Sequence, residues 1–310
     1  MTECERLIEN GTFTPDFFKE EVRCDFLVTT ERKKIWAVEI DLLLQFDKVC
    51  KRNGLKYWLM FGGLLGAVRH GGFIPWDDDL DVVMLRKDYE KFLKLKDEFS
   101  APYFFQTPYT DKYHGYCHVQ LRNSNTTAVP RQFLYSRMNL GIVLDILVLD
   151  KFENSQEARA VFKEINRLQF HNSTFMRMDN LKLSSQDVER VAQYKLQHRN
   201  HIDDYEKIRE LSQRYALSDS NLLCCTSGTA YGFDRDVFDA NDFRDSCMVD
   251  FEGFSVPAPV GWKNLLAIAY GDYMKMPEIS QRGCWHGTSI FQPDVPYKTY
   301  IKDIVENAKS

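Results

Sequence analysis

From Thr30 to Asn53 the apolar positions Ile35, Val38, Leu42, Phe46 and Val49 recur every three or four residues. That spacing lays one apolar stripe along a helix that begins after Thr29 and Thr30 and stops at Gly54. The next run, Tyr57 to Phe61, is bulky and aromatic and predicts a buried strand, which Gly62 and Gly63 end. Leu64 to His70 has helix-forming residues and closes at Gly71-Gly72, so the local order is strand, glycine turn, short helix. An apolar loop, Phe73-Ile74-Pro75-Trp76, leads through Asp77-Asp78-Asp79-Leu80-Asp81 into a second buried strand, Val82 to Leu85. Arg86 to Phe99 carries Tyr89, Phe92, Leu93 and Leu95 among charges, which predicts an amphipathic helix packed on that sheet.

Short β-like runs follow at Tyr103 to Gln106 and Cys117 to Arg122. Gly141 to Val148 is nearly all apolar, with a single carboxylate, Asp145, in its middle. From 151 to about 220 the texture turns helical, at Gln156 to Phe170, Gln186 to His198 and Asp204 to Leu217. Residues 221 to 260 lose clear periodicity, and Pro257, Pro259 and Gly261 introduce a helix from Trp262 to Ala269 that stops at Tyr270-Gly271. The tail from 287 carries no pattern, and neither an internal repeat nor a low-complexity tract interrupts the chain. The length and this mixture of strands and helices predict one large α/β unit with a helical insertion or annex, or two domains sharing a cleft.

Composition narrows the class. With 44% hydrophobic and 14% aromatic residues in 310, the chain can bury a real core, which excludes collagen, disorder and coiled coil. A net charge of −5 argues against a nucleic-acid partner held on an extended basic face. No run approaches the roughly 20 apolar residues of a membrane span. The first residues, MTECERLIENGTF, have charges where a signal peptide has its apolar centre, so a cytoplasmic location is expected. Eight cysteines without a C-x-x-C pair read as reduced, buried thiols; zinc ligation by Cys224, Cys225, Cys247 or the Cys284/His286 pair would match no finger spacing.

The acidic cluster carries the chemistry. In an extended segment residues two apart lie about 6.6 Å along the strand on one face, so Asp77, Asp79 and Asp81 can point to one side and Asp78 and Leu80 to the other. Carboxylates held near 4 Å apart repel by about 4 kcal/mol at an effective dielectric of 20. A divalent cation removes that cost, and a hard one such as Mg²⁺ takes one or two carboxylates plus substrate phosphates. Taken alone, the cluster reads as a solvated turn. Three features change the weighing: Gly62-Gly63 upstream, the apolar loop that brings the acids back to that turn, and Asp145 inside an apolar strand. A carboxylate among Ile, Val and Leu needs a cation or strong donors to stay ionised. Backbone N–H groups at a glycine turn before a helix suit phosphate oxygens.

The order Gly-Gly, Asp-x-Asp, then Asp within a later apolar strand resembles the nucleotidyltransferase fold of the DNA polymerase beta superfamily. Within it, the stretch YWLMFGGLLGAVRHGGFIPWDDDLDVVMLRKDYEKF closely resembles the LicD family of phosphocholine transferases and their relatives fukutin and fukutin-related protein. GIVLDILVLD matches that family's later acidic strand, and FEGFSVPAPVGWKNLLAIAYGDYMKMP with Arg282 and His286 resembles its C-terminal block. The resemblance covers about 33 to 150 and 243 to 286, and implies an α/β fold of nucleotidyltransferase type, a mixed sheet flanked by helices with a helical insertion or annex, its core over 1–150 with a helical lead-in. It further implies a helical segment at 151–242 that shapes the donor or acceptor pocket, and a block at 243–310 packing back on the cleft.

The implied activity is transfer of a phosphocholine or phospho-alditol group from a CDP-linked donor to a hydroxyl of a glycan or glycolipid, releasing CMP, with Mg²⁺ or Mn²⁺ as cofactor. By resemblance Asp79 and Asp81 hold the metal, Asp77 is auxiliary, and Asp145 is the third carboxylate, acting as ligand or as acceptor of the hydroxyl proton. This requires oxygens of three separated aspartates to meet at one point beside the glycine bend.

Gly62, Gly63, Arg69, His70 and Arg122 are candidates for the donor phosphates and nucleotide, and Trp76, Glu252 and His286 for the cleft wall. Four of them have a plainer alternative: Arg69 and Arg122 as ordinary surface or structural arginines, His70 as a helix C-terminal cation, Trp76 as packing. Other functions stay open: a nucleotidyltransferase releasing pyrophosphate, a glycosyltransferase using Asp79-Leu80-Asp81, or a binding protein without turnover.

Overall fold

The computed structural model describes residues 1–310 apart from 135, 179–183, 197–199, 229–231, 284–287 and 308–310. The chain opens with helix α1 (Glu3–Glu9), capped by Thr2 and Glu5, and a small hairpin, β1 (Glu21–Arg23) and β2 (Phe26–Val28). Helix α2 (Thr30–Arg52) starts where the Thr29 hydroxyl accepts from the Arg32 N–H, and buries its expected stripe from Ile35 to Val49. Strand β3 (Trp58–Met60) runs directly into α3 (Phe61–His70), and β4 (Asp81–Leu85) into α4 (Arg86–Phe92). Strands β5 (Tyr103–Gln106), β6 (Val119–Asn123), β7 (Thr127–Pro130) and the long β8 (Ile142–Phe152) follow. Then come α5 (Gln156–Met178), α6 (Ser185–Leu196), α7 (His201–Ser212), β9 (Leu222–Cys225), the single turn α8 (Phe233–Asp236) and β10 (Val237–Asp239). The hairpin β11 (Ser246–Phe251) and β12 (Phe254–Pro259), α9 (Trp262–Tyr270), β13 (Thr288–Gln292) and α10 (Tyr297–Asn307) complete the chain.

Among the described residues β10, β9, β8, β4, β3, β6 and β5 make one mixed sheet centred on β8. β4 runs parallel to β8 along one edge. Along the other edge β6 pairs antiparallel with the first half of β8, up to Ile146, and β9 with its second half, from Leu149. The sheet therefore forks at Leu147 and Val148. The fork is filled by the loop after β9, where the Ser227 hydroxyl accepts from the Val148 N–H. Helix α2 packs on the sheet against β8 and β6, with Trp36, Ile40, Leu43 and Phe46 among its buried residues.

Several boundaries depart from the sequence reading. The first glycines do not lie in a turn between strand and helix: α3 begins at Phe61, and Gly62 and Gly63 form its first turn. Phe61 makes the change of direction at φ 48°, a left-handed conformation costly for a bulky residue. Residues 221–260, which show no periodicity, contribute two strands to the central sheet and a separate hairpin, because short buried strands such as Leu222–Cys225 leave no alternation to read. The helix expected over Arg86 to Phe99 changes to 3₁₀ geometry from Leu93.

Candidate active site

The row across the sheet at the start of β4 places Asp81 opposite Asp145 of β8, and Asp145 opposite Gln120 of β6. Paired residues on adjacent strands, about 4.8 Å apart, present their side chains to the same face. Asp81, Asp145 and Gln120 thus share one face at one level. Upstream the chain is extended, and burial alternates as the spacing predicts: Asp77, Asp79 and Asp81 are partly exposed, Asp78 and Leu80 buried. The Asp77 carbonyl, accepting from Arg32 Nη1 (2.7 Å) and Trp36 Nε1 (3.1 Å), ties this segment to α2.

The glycines bring α3 onto these acids by close approach. A Cβ on Gly62 would lie 2.8 Å from Asp77 Oδ2 and 3.9 Å from Asp79 Oδ1. One on Gly63 would lie 2.8 Å from Leu59 Cδ1 and 3.0 Å from Leu80 Cδ1, so this glycine serves helix-to-strand packing. No side chain caps the N-terminus of α3, and its first turn starts beside Asp77 and Asp79. Gly62, Asp77, Asp79, Asp81 and Asp145 all line one cleft of about 1320 Å³. Its other walls come from Tyr116 and His118 before β6, Phe170 and Met176 of α5, Ser227 in the sheet fork, and the stretch after α9 around Tyr273.

Asp145 is held more elaborately than the sequence suggested. His118 Nε2 (2.8 Å) and Gln120 Nε2 (2.7 Å) both donate to Oδ1. His118 Nδ1 faces the Ser227 carbonyl at 3.1 Å. Carbonyl and carboxylate oxygens both accept, so both ring nitrogens carry protons and the pair is an imidazolium–carboxylate. Burial alone would raise the carboxyl, yet the hydrogen bond and charge of His118, with Gln120 and Arg122, hold it below its ordinary value. His118 is raised for the converse reason: burial opposes its charge, and Asp145 outweighs it.

Three candidate residues, Arg122, Glu252 and His70, lie outside the cleft lining, and a fourth, Arg69, lines it with its guanidinium engaged. Arg122 does not reach the cleft; it is 3% exposed and donates to Gln106 Oε1, the Gly141 carbonyl (2.6 Å) and Gln120 Oε1 (2.7 Å). Glu252 is not a cleft residue either: it pairs with Arg23, accepts from the Phe73 N–H at 3.1 Å, and fixes the loop after α3. His70 lies outside the cleft lining, and Arg69 Nε donates to its Nε2 at 2.9 Å. The other nitrogen, Nδ1, is 3.6 Å from Cys24 Sγ. Burial, with Arg69, Arg23 and Arg282 nearby, lowers His70 to about 4, so it brings no positive charge to a phosphate at neutral pH. Arg69 does line the cleft, but its Nη1 donates to the carbonyls of Tyr273 (2.9 Å) and Lys275 (3.4 Å), clamping the cleft wall. Trp76 lines the cleft and packs under the Arg282 guanidinium at 5.2 Å. His286 and Cys284 lie outside the described residues. Among the described residues the cysteines, including Cys224, Cys225 and Cys247, are free thiols.

The expectation that three aspartates meet at one point needs correction. They share a cleft and, for Asp81 and Asp145, a register, but among the described residues no three His, Cys, Asp or Glu side chains close into a metal cage.

Residues 54–175, which hold this whole arrangement up to α5, match the family model described as LicD/FKTN/FKRP, nucleotidyltransferase domain. They are a LicD-family domain. Beyond it, the chain is 24% identical over 248 residues to the lipopolysaccharide cholinephosphotransferase LicD of Haemophilus influenzae, spanning 77% of this chain and 89% of that protein. An uncharacterized protein of Rickettsia prowazekii is 31% identical over 111 residues, 36% of this chain and 38% of that protein. The human ribitol 5-phosphate transferase FKRP is 50% identical over 40 residues, 13% of this chain and 8% of that protein. The matched residues end within α5, and β9, which borders the sheet fork, lies beyond them. No helix among the described residues is long and apolar enough to cross a membrane.

Proposed function

We propose that this chain is a metal-dependent phosphotransferase of nucleotidyltransferase-type fold, moving a substituted phosphate group from a CDP-linked donor to a hydroxyl of a glycan or glycolipid. The observation that carries this reading is the register of Asp81 beside Asp145, on the face where Gly62 brings α3 against Asp77 and Asp79. The activities for which the relatives are named, transfer of cholinephosphate and of ribitol 5-phosphate, share the chemistry of a substituted phosphate group.

The donor set consists of carboxylate oxygens, which suits Mg²⁺ or Mn²⁺ over softer metals. Asp79, Asp81 and Asp145 would hold the ion, and an open arrangement is consistent with a cation that completes its shell from water and donor phosphates. The chemistry such an ion supplies is neutralisation of phosphate charge and alignment of the leaving oxygen. The N-terminal N–H groups of α3 bind donor phosphate oxygens at the positive end of the helix. In the transfer, the acceptor oxygen bonds to the phosphorus distal to cytidine, the bond from that phosphorus to the bridging oxygen breaks, and CMP leaves. The hydroxyl proton passes to a cleft carboxylate. Tyr116, Phe170 and Trp76 give the cleft aromatic walls beside the acids.

Product analysis by mass with CDP-linked donors and Mg²⁺ tests the reading. CMP and a phospho-substituted acceptor are expected, and Asp79→Asn or Asp81→Asn should lower turnover at least about 100-fold with the melting temperature retained. Release of pyrophosphate with a nucleotide kept on the product would replace this reading by nucleotidyl transfer.

A further inference from the structure

We infer that His118, just before β6, and Gln120 and Arg122 on the same side of the strand form a positioning relay that presents a single oxygen of Asp145, Oδ2, to the cleft as a metal ligand. The inference rests on the metal-dependent reading above and adds residues that the acidic motif does not contain. His118, Gln120 and Arg122 alternate along the strand, so all three side chains project to the face that Asp145 occupies, while Val119 and Leu121 enter the core. Every residue of β6 is buried, so polar groups on its face must satisfy one another or a ligand.

The orientation of each group follows from its partners. Arg122 only donates, so the Gln120 atom at 2.7 Å from its Nη2 is the amide oxygen, and the amide nitrogen is necessarily the atom turned to Asp145. Arg122 is itself anchored on Gln106 and the Gly141 carbonyl, and so cannot release the amide by swinging away. His118 is fixed from behind by the Ser227 carbonyl in the sheet fork. Its strand is started by the Tyr89 hydroxyl, which accepts from the Val119 N–H at 2.9 Å. Both donors converge on Oδ1. Among the described residues nothing donates to Oδ2, while the Asp145 side chain remains 22% exposed and lines the cleft. A carboxylate held by two donors on one oxygen offers the other in a fixed direction, the usual way a surrounding shell orients a metal ligand.

Mn²⁺ affinity of the full chain, read by the loss of the free-ion electron paramagnetic resonance signal, tests this without reference to turnover. Wild type should bind Mn²⁺, and His118→Leu and Gln120→Met should bind it about 10- to 100-fold more weakly. His118→Gln, whose amide can still donate to Oδ1, should recover most of that loss; a role in folding alone would not separate the Leu and Gln variants at equal melting temperature. If His118→Leu fails to fold, Gln120→Met decides. Wild-type affinity in Gln120→Met, alongside weakened binding in Asp145→Asn, would overturn the relay and leave the metal site standing. Absence of Mn²⁺ binding by wild type, or binding unaffected by Asp81→Asn and Asp145→Asn, would overturn the metal-dependent reading and the relay with it.

Discussion

At the scale of single residues the site depends on an atom that is missing. The Cα of Gly62 lies so close to Asp77 that an added methyl would stand 2.8 Å from Oδ2, and the carboxylate, being the end of a short side chain, would have to rotate away. Gly62→Ala should therefore fold and melt within a few degrees of wild type while losing about 10- to 100-fold in turnover, because small displacements at a reacting centre are that costly. Steady-state rates and a melting curve on the same preparation check it. His70 gives a residue-scale prediction of the opposite kind, in stability and not in rate. Its folded-state value near 4 lies below its ordinary 6.5, chiefly through burial and then the Arg69, Arg23 and Arg282 charges. Between those values the unfolded chain binds a proton that the native one refuses. The stabilisation is full above about pH 6.5 and is lost as pH falls toward 4. Urea midpoints measured across that window should fall more steeply for wild type than for His70→Gln; parallel curves would show that His70 is an ordinary surface imidazole.

At the scale of elements, the junction of β4 with α4 is fastened to β8 by a buried ion pair. Arg86 at the start of α4 donates to both oxygens of Asp150, at 2.7 and 2.8 Å, and Asp150 also accepts from the Thr226 hydroxyl after β9. Removing the cation strands a carboxylate inside the fold. Arg86→Met should cost about 3–5 kcal/mol in urea unfolding, and Arg86→Met combined with Asp150→Leu should recover much of it, since the penalty is the unpaired charge. Legibility in the sequence divides along the same elements. Helix α2, with five stripe residues and a threonine cap, and the acidic approach to β4, with its period of two, are written in local spacing. β6 was visible as a short run, but Arg122 looked like a free cation because its partners, Gln106 and Gly141, are distant in sequence. Glu252 was misplaced for the same reason: Arg23, its counter-ion, lies at the other end of the chain. His118 left a signal, a polar residue alternating with Gln120 and Arg122 in an otherwise apolar strand, whose meaning depends on the pairing of β6 with Asp145.

For the whole molecule, the helical stretch after β8 could be an appendage or part of the same cooperative unit, and its packing favours the second. The apolar cluster under α5 and α7 contains Phe162, Ile165, Tyr205 and Ile208 from the helices, but also Phe152 of β8 and Cys224 of β9, strands of the central sheet. Polar ties cross the same boundary: Arg209 of α7 to Glu90 of α4 at 2.8 Å, and Gln169 of α5 to the Thr226 carbonyl at 2.7 Å. Melting the helices would expose the back of β8, the strand that carries Asp145, and release the loop that fills the sheet fork beside His118. The chain offers a natural pair of probes, because its five tryptophans, at 36, 58, 76, 262 and 285, all lie outside 151–242, whereas α5, α6 and α7 supply much of the far-ultraviolet dichroism. If sheet and helices are one unit, tryptophan emission and dichroism at 222 nm should report the same denaturant midpoint and slope. Loss of dichroism at lower denaturant than the change in emission would show that α5 to α7 unfold first, and that Asp145 and His118 stand on a sheet able to persist without them.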